Sequence, residues 1–280
     1  MKAFLLIKNG RAERYRQSKI PAVQAYLQKK PGQLEEMLRA EEAHLQSTQK
    51  VLAEMRRLGV EYTAVKQLEL AEHAHSINSY DLAVSVGGDG TFLDLAHFVM
   101  DMPILGINSD IKRSVGNFCA ATPENFQDYI MNSAESTKVW RLQASINGKI
   151  VPEPALNEVL LASTNPAEMS RYVVKACGQE KEMRSSGLIV CTAAGSTAWM
   201  SKAGGIVLPI TSKSLEYHSR ETGERKFEFA ESVSVLSLCP EGKIYMDGNV
   251  LQYEANIGTQ LIFKPGSPLA VLGNLSRTSI

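Results

Sequence analysis

The chain has 280 residues, 44% of them hydrophobic, and its 30 Lys and Arg balance its 30 Asp and Glu. That length and apolar content support a large core in one or two domains. The charge balance removes the general argument for a nucleic-acid or membrane-surface partner, though it leaves a local basic pocket open. In chain order, Lys2 to Lys8 reads as a buried strand closed by Asn9-Gly10. Residues 11–33 are charged and irregular, and Pro31-Gly32 is expected to break any helix there. Residues 34–58 are predicted helical, because Leu45, Thr48, Leu52 and Met55 recur at helical spacing and Gly59 follows Arg56 and Arg57. A strand over 60–65, a short helix over 68–79, a strand over 82–86, a helix over 92–100 and a strand over 104–107 follow. Strands alternating with helices imply a parallel, Rossmann-like sheet with right-handed crossovers.

From Trp140 onward short strands are separated by turn signals. Residues 141–146 and 149–151 form a predicted hairpin around Asn147-Gly148. Strands over 156–162, 172–176, 188–191, 226–229, 233–238, 243–246, 260–264 and 269–272 come next. Only 197–203 looks helical, and the polar stretch 211–225 reads as a mobile loop. Such a series predicts an all-β domain of the sandwich kind. The Thr122-Pro123 turn sets the boundary near 120–124. The expected division is an N-terminal α/β domain over 1–120, completed by the tail at about 266–280, and a C-terminal β-rich domain over 121–265.

Cys119, Cys177, Cys191 and Cys239 form no C-x-x-C pair and sit beside apolar residues, so buried free thiols in a reducing compartment are expected. The apolar run at 3–7 is too short for a signal segment or a membrane span. A soluble, cytoplasmic protein without a transit segment is the expectation. The five histidines have no spacing for a Ser-His-Asp set or a two-histidine metal site.

The chemistry concentrates in four places. In Val84-Ser85-Val86-Gly87-Gly88-Asp89-Gly90-Thr91 an apolar strand ends in three glycines around one carboxylate, just before a helix. Strand, glycine turn and helix N-terminus make a phosphate cradle. Asp89 repels phosphate, so it either orients or deprotonates an attacking hydroxyl, or caps the following helix. Asn157-Glu158 opens an apolar strand and suits ribose hydroxyls, with a water-facing strand edge as the other reading. In the run from Gly187 to Trp199 a buried strand meets a small-residue turn, able to hold phosphates or a carboxamide or to serve as an ordinary joint. Trp199 could stack on a flat ring or plug the core. Lys112 and Arg113 could neutralise phosphates or simply be solvated. Neither a G-x-x-x-x-G-K-[ST] sequence nor a G-x-G-x-x-G after the first strand is present, which disfavours a Walker-type NTPase and a common dehydrogenase.

Gly87-Gly88-Asp89-Gly90-Thr91, Asn157-Glu158, Gly195-Ser196-Thr197-Ala198 and Met246-Asp247-Gly248 occur in the order seen in NAD kinases, and the chain resembles that family. Lipid kinases of the diacylglycerol and sphingosine type, and phosphofructokinases, share the first motif alone; the ordered set is specific. Gly106-Ile107-Asn108-Ser109-Asp110 with Arg113-Ser114 and Gly116, the run Ser185-Ser186-Gly187-Leu188, and the helical 34–58 segment resemble the mitochondrial-type branch, as a bacterial homologue would. The common branch carries Asp where Ser186 stands and Tyr where Trp199 stands.

The resemblance implies an N-terminal α/β domain, a C-terminal β-rich domain and a site between them. It implies transfer of the terminal phosphate of ATP, or of polyphosphate, to the adenosine ribose 2′-hydroxyl of NAD, giving NADP, with Asp89 as proton acceptor. It assigns NAD binding to Asp89, Gly90, Asn157, Glu158, Arg184, Ser186, Ala194, Thr197, Ala198, Trp199, Met200, Ser201, Lys202 and Asn249. It assigns phosphate or ATP binding to Gly87, Gly88, Thr91, Asn108 and Arg113. Mg²⁺ would arrive with ATP rather than occupy an all-protein cage. No tightly bound organic cofactor is expected, and no nucleic-acid or membrane partner. A homodimer or tetramer through the β domain is implied. A lipid kinase of the diacylglycerol or sphingosine type is one alternative. A non-catalytic NAD-binding sensor is another, kept open by Ser186.

Overall fold

The structure, a computed structural model, describes residues 1–10, 20–132, 135–222, 227–248 and 251–275. The chain divides into two compact units: Met1–Thr137 with Ala270–Leu275, and Lys138–Leu269.

The first unit is α/β. Strands β1 (Lys2–Ile7), β2 (Glu61–Lys66), β3 (Leu82–Gly87) and β4 (Ile104–Asn108) pair in parallel in the order β2-β1-β3-β4. β3 and β4 are buried along their whole length, which explains their mostly apolar character, with Ser85 and Asn108 as buried polar exceptions. Helices α1 (Pro21–Lys29) and α2 (Pro31–Arg57) precede β2. Pro31 therefore starts a helix where the sequence suggested a break. A proline at the first position gives up an N–H that has no partner there in any case. The buried stripe of α2 is His44, Thr48, Val51 and Met55. Leu45, expected on that stripe, is 55% exposed, because polar His44 takes the inward position with bonds for both ring nitrogens. Gly59, at φ +67, turns the chain out of the helix.

The expected helix over 68–79 is a succession of tight turns around α3 (Leu70–His73). Helix α4 (Asp89–Ala96) starts directly at the glycine turn, earlier than the expected 92. The first unit continues past the boundary expected near 120–124. Ala121 bridges Ile107, and Phe126, on the short helix α5 (Phe126–Met131), is fully buried in the same core as Leu5, Val84 and Met55. Packing of this one aromatic outweighs the Thr-Pro turn signal.

The second unit is β-rich. Its strands are β5 (Ser136–Ile146), β6 (Lys149–Ile150), β7 (Glu158–Ser163), β8 (Ser170–Ala176), β9 (Gln179–Ser185), β10 (Leu188–Cys191), β11 (Leu215–Ser219), β12 (Glu228–Ala230), β13 (Val233–Ser237), β14 (Gly242–Met246), β15 (Leu251–Glu254) and β16 (Gln260–Leu272). The first two residues of β5 and the last three of β16 belong to the first unit. One antiparallel sheet runs β12-β11-β10-β7-β14-β15, and a second layer runs β16-β13-β8-β9 with β5 beside β16. Val159 and Leu161 of β7 point into the main core with Tyr172, Val190 and Ile244. Leu160 and Ala162 point the other way, against Met200 of helix α6 (Trp199–Ala203).

Two expectations are corrected here, and one strand that the sequence reading missed is added. The expected loop over 211–225 contains β11, buried from Leu215 to His218; its polar Glu216 and His218 hid it. β9, of sequence QEKEMRS, is a charged, mostly exposed edge strand with no apolar signal. Cys177 is exposed rather than buried, because it sits with Gly178 in the β8–β9 turn at φ +50 and +75. The four cysteines are free thiols.

Candidate functional site

The glycine turn in the first unit is shaped by close approach. A Cβ on Gly87 would overlap Thr91 and come within 2.7 Å of its Cβ, and a Cβ on Gly88 would overlap the Ser114 hydroxyl. A Cβ on Gly90 would meet nothing within 4 Å. The first two glycines thus serve the fold, and the third faces open space. Gly88, not Asp89, is the N-cap of α4, and it makes no side-chain capping bond. The Asp89 carboxylate instead accepts the Phe118 N–H at 3.0 Å and the Asn117 Nδ2 at 3.1 Å. The capping reading of Asp89 is replaced by a carboxylate held in one orientation by the loop after β4.

That loop is itself built around Asn108. Its Nδ2 donates to Ser114 O at 3.0 Å and its Oδ1 accepts from Asp110 N at 3.1 Å. Asn108 is buried with both ends of its amide engaged, so its visible work is to shape the 109–116 loop. Gly116 (φ +67) leaves room for that amide. Cys119, close to Asp89, has its thiol pushed up to about 12 by burial and by the Asp89 charge, so it stays protonated. A cleft of about 670 Å³ opens beside the turn, lined by Gly88, Asp89, Gly90, Thr91, Arg113 and Ser114, and on the far side by α2. Arg113 lies 3.1 Å from Asp110 and at 4.0 Å from Glu36. Lys112 is exposed and does not line the cleft.

In the second unit one carboxylate organises the turn before β7. Asp247, at φ +49, accepts the backbone N–H groups of Leu156 (2.6 Å), Asn157 (2.7 Å) and Glu158 (3.0 Å). The joint after β10 locks onto the same place. Thr192 N donates to Asn157 O at 2.9 Å, and Gly195 passes so close to Asn157 that a Cβ there would overlap its carbonyl. Asn157-Glu158 is therefore not a water-facing edge. Asn157 Oδ1 and Glu158 Oε2 are buried without a hydrogen-bond partner. Burial, and secondarily the Asp247 charge, push the Glu158 carboxyl up to about 8. Unsatisfied buried acceptors of this kind mark a place for ligand hydroxyls.

Across the sheet, Glu158 pairs with Cys191, which pairs with Glu216. Glu216 is fully buried; its Oε1 accepts the Ile206 N–H at 2.9 Å, and the Cys191 thiol donates to Oε2 at 3.9 Å. It ties the segment after α6 to the sheet. No sequence signal singled out Glu216, and Asp247 was visible only as part of a motif.

The remaining candidates of the second unit divide by burial. Ala194 and Met200 are interior, Met200 in the cluster with Leu160, Ile189 and Cys191, so their side chains pack. Ser201 Oγ donates back to Ala198 O at 2.9 Å, and Thr197 Oγ1 to Ala194 O at 3.4 Å. Trp199 is 37% exposed and carries the Arg220 guanidinium 4.9 Å from its ring centre, so it does not plug the core. Lys202 is exposed. Ser186 has a buried Oγ without a partner. Arg184, on β9, lines a separate cavity of about 380 Å³ with Lys181, Tyr217 and His218. Asn249 lies outside the described residues. Among the described residues no group of three or more His, Cys, Asp or Glu could hold a metal, and no helix is long and apolar enough to cross a membrane.

Comparison with known proteins bears on these features. Residues 8–135 match a family model described as the ATP-NAD kinase N-terminal domain. A probable NADH kinase of Oryza sativa subsp. japonica is 31% identical over 251 residues, 77% of this chain and 76% of that protein. A mitochondrial NAD kinase 2 of Rattus norvegicus is 26% identical over 213 residues, 58% of this chain and 49% of its own. In fold, the chain is similar to the crystal structure of an NAD kinase from Archaeoglobus fulgidus in complex with ATP, with a TM-score of 0.67 over 98% of this chain and 94% of that one at 22% identity.

Proposed function

The chain belongs to the NAD kinase family, and we propose that it transfers the terminal phosphoryl group of ATP to the 2′-hydroxyl of the adenosine ribose of NAD, giving NADP. The observation that carries this reading is the Asn157-Glu158 pair, pinned by Asp247 and left with a buried, unpartnered oxygen on each side chain. Two such acceptors suit adjacent sugar hydroxyls, which donate. Asp89 supplies the second half. Its two oxygens each accept one N–H, which fixes their direction and leaves lone pairs for a hydroxyl proton.

In the step itself the ribose 2′-oxygen forms a bond to the terminal phosphorus as Asp89 takes its proton. The bond from that phosphorus to the bridging oxygen breaks, and ADP leaves with the electron pair. The turn at Gly87–Thr91 brings backbone close to phosphate, and Gly90 leaves the approach open. Mg²⁺ would supply neutralisation of the phosphate oxygens. Asp89 and Asp110 line the cleft as hard oxygen donors, and among the described residues no group of three or more His, Cys, Asp or Glu could hold a metal, which fits an ion carried in by the nucleotide. The residues from Thr197 to Lys202, with Arg184 and Ser186, are assigned to the remainder of the dinucleotide. We further propose a cytoplasmic homodimer or tetramer formed through the β-rich unit, which analytical ultracentrifugation would test.

The direct experiment incubates purified protein with NAD or NADH, ATP or polyphosphate, and Mg²⁺, and measures NADP(H). Formation of NADP(H) is the expected result. Phosphorylation of diacylglycerol or a sphingoid base without NAD activity would install the lipid-kinase reading. NAD binding by calorimetry with no NADP(H) from any donor would install the sensor reading.

A further inference from the structure

The cleft of the first unit is longer than a phosphate chain at the glycine turn requires. Its far wall is one stripe of α2, on which Gln33, Glu36, Met37, Ala40, Glu41 and His44 recur every three or four residues. At 1.5 Å per residue the steps from Gln33 to His44 run roughly 16 Å. Met37 and Ala40 make this wall partly apolar. One of its polar members is unusual: Glu41 Oε2 is buried and has no hydrogen-bond partner. Gly10, at the end of the first strand's turn, permits this placement, because a Cβ there would overlap the Glu41 carboxylate.

The neighbouring polar groups are already committed. Asn9 Oδ1 accepts the Leu68 N–H at 2.9 Å, and the Gln67 amide donates to Asp94. His44 bonds the Ser109 hydroxyl at 2.8 Å and Lys8 O at 3.0 Å, and burial lowers its pKa, so it closes the wall as a neutral ring. Glu41 is thus the wall's open acceptor. Phosphate oxygens carry no proton to give it and are repelled by it, whereas vicinal sugar hydroxyls donate well to a carboxylate.

We propose that the α2 wall is the nucleoside half of the phosphoryl-donor site, with Glu41 holding the ribose hydroxyls of a nucleoside triphosphate whose phosphates lie at the glycine turn. This rests on the kinase reading above and selects among its donors. The cleft's charged groups are Lys8 and Arg113 against Glu36, Glu41, Asp89 and Asp110. A polyphosphate chain, charged along its length, would run past Glu36 and Glu41. A magnesium–nucleoside triphosphate concentrates its charge at the glycine end and presents neutral groups to α2.

The test is calorimetric titration of the full chain with Mg-ATP, Mg-2′-deoxy-ATP, Mg-3′-deoxy-ATP and polyphosphate, for the wild type, Glu41→Ala and Glu41→Gln, alongside steady-state kinetics. Mg-ATP should bind the wild type about tenfold or more tightly than the deoxy analogues, the scale of a lost hydrogen bond to a charged group. Both variants should bind ATP about as weakly as the wild type binds those analogues and should no longer discriminate among them, while KM for NAD stays unchanged. ATP affinity indifferent to Glu41, or polyphosphate bound as tightly as ATP, overturns the proposal and leaves the kinase reading standing. Glu41-dependent ATP binding without NADP(H) formation would do the reverse. The isosteric Glu41→Gln variant keeps the test valid if Glu41→Ala fails to fold.

Discussion

The two units fix a candidate site carboxylate in opposite ways. In the first, the backbone does it: glycines at 87 and 88 let chain segments approach, and Asp89 is held by N–H donors from a loop that Asn108 shapes. In the second, a buried charge does it: Asp247 gathers three N–H groups and leaves the adjacent Glu158 unsatisfied and proton-holding. One design depends on the absence of side-chain atoms, the other on a fully bonded anion beside an unbonded, protonated carboxyl. Substitutions should therefore fail differently in the two units.

The largest effect is expected at Asp89. Asp89→Asn keeps an acceptor for the Phe118 N–H, so the melting temperature should barely move. NADP(H) formation should fall by about 10²–10⁴-fold, the usual scale for loss of a general base. Turnover at the wild-type rate would remove Asp89 from the chemistry. Asp247→Ala should do the converse, acting first on stability. Three buried N–H groups lose their acceptor, a loss of about 3 kcal/mol or more at about 1–3 kcal/mol each. Denaturant unfolding would measure it, and a shift under 1 kcal/mol would show that Asp247 does not organise the turn.

The glycine turn offers an internal contrast of intermediate size. Gly87→Ala should destabilise by about 1–3 kcal/mol through overlap with Thr91, while Gly90→Ala should stay within about 0.5 kcal/mol yet impair activity. Equal stability loss at both positions would erase the distinction between a glycine kept for packing and one kept for access.

The smallest effect is a pH slope. The Glu158 carboxyl titrates near 8 when folded, above its ordinary value of 4.5. The folded state then holds the proton more tightly, so this contribution is fully present below about pH 4.5 and is lost as pH rises towards 8. Glu158→Gln should flatten the decline in melting temperature across that window. An unchanged slope would mean that Glu158 is not the group responsible.

How much of this was legible in the sequence follows from how local each feature is. Gly87–Thr91 and Asn157-Glu158 are contiguous, so composition and order alone exposed them. The carboxylate that holds Asn157-Glu158 lies 90 residues away at position 247, and the donors to Asp89 lie at 117 and 118. Such partners are chosen by the fold, and periodicity carries no trace of them. Strand β9 was invisible because a charged edge needs no apolar face, and β11 because Glu216 and His218 are satisfied inside. Pro31 misled in the opposite sense: the same residue that ends a helix can begin one, and only the following turns decide.

The last strand carries a consequence for the order of events at the ribosome. Val271 pairs with Ile104, Gly273 receives the Thr137 hydroxyl bond, and Leu272 packs into the first unit's core. A nascent chain that has emerged only to residue 137 still lacks that strand, so Ile104, at the start of β4, waits without its neighbour while the other unit is made, whereas Ala121 already covers the end of β4. The N-terminal unit, first to be synthesised, is therefore last to be finished, and a fragment cut at 137 should be sticky in a way that adding back residues 270–275 would cure.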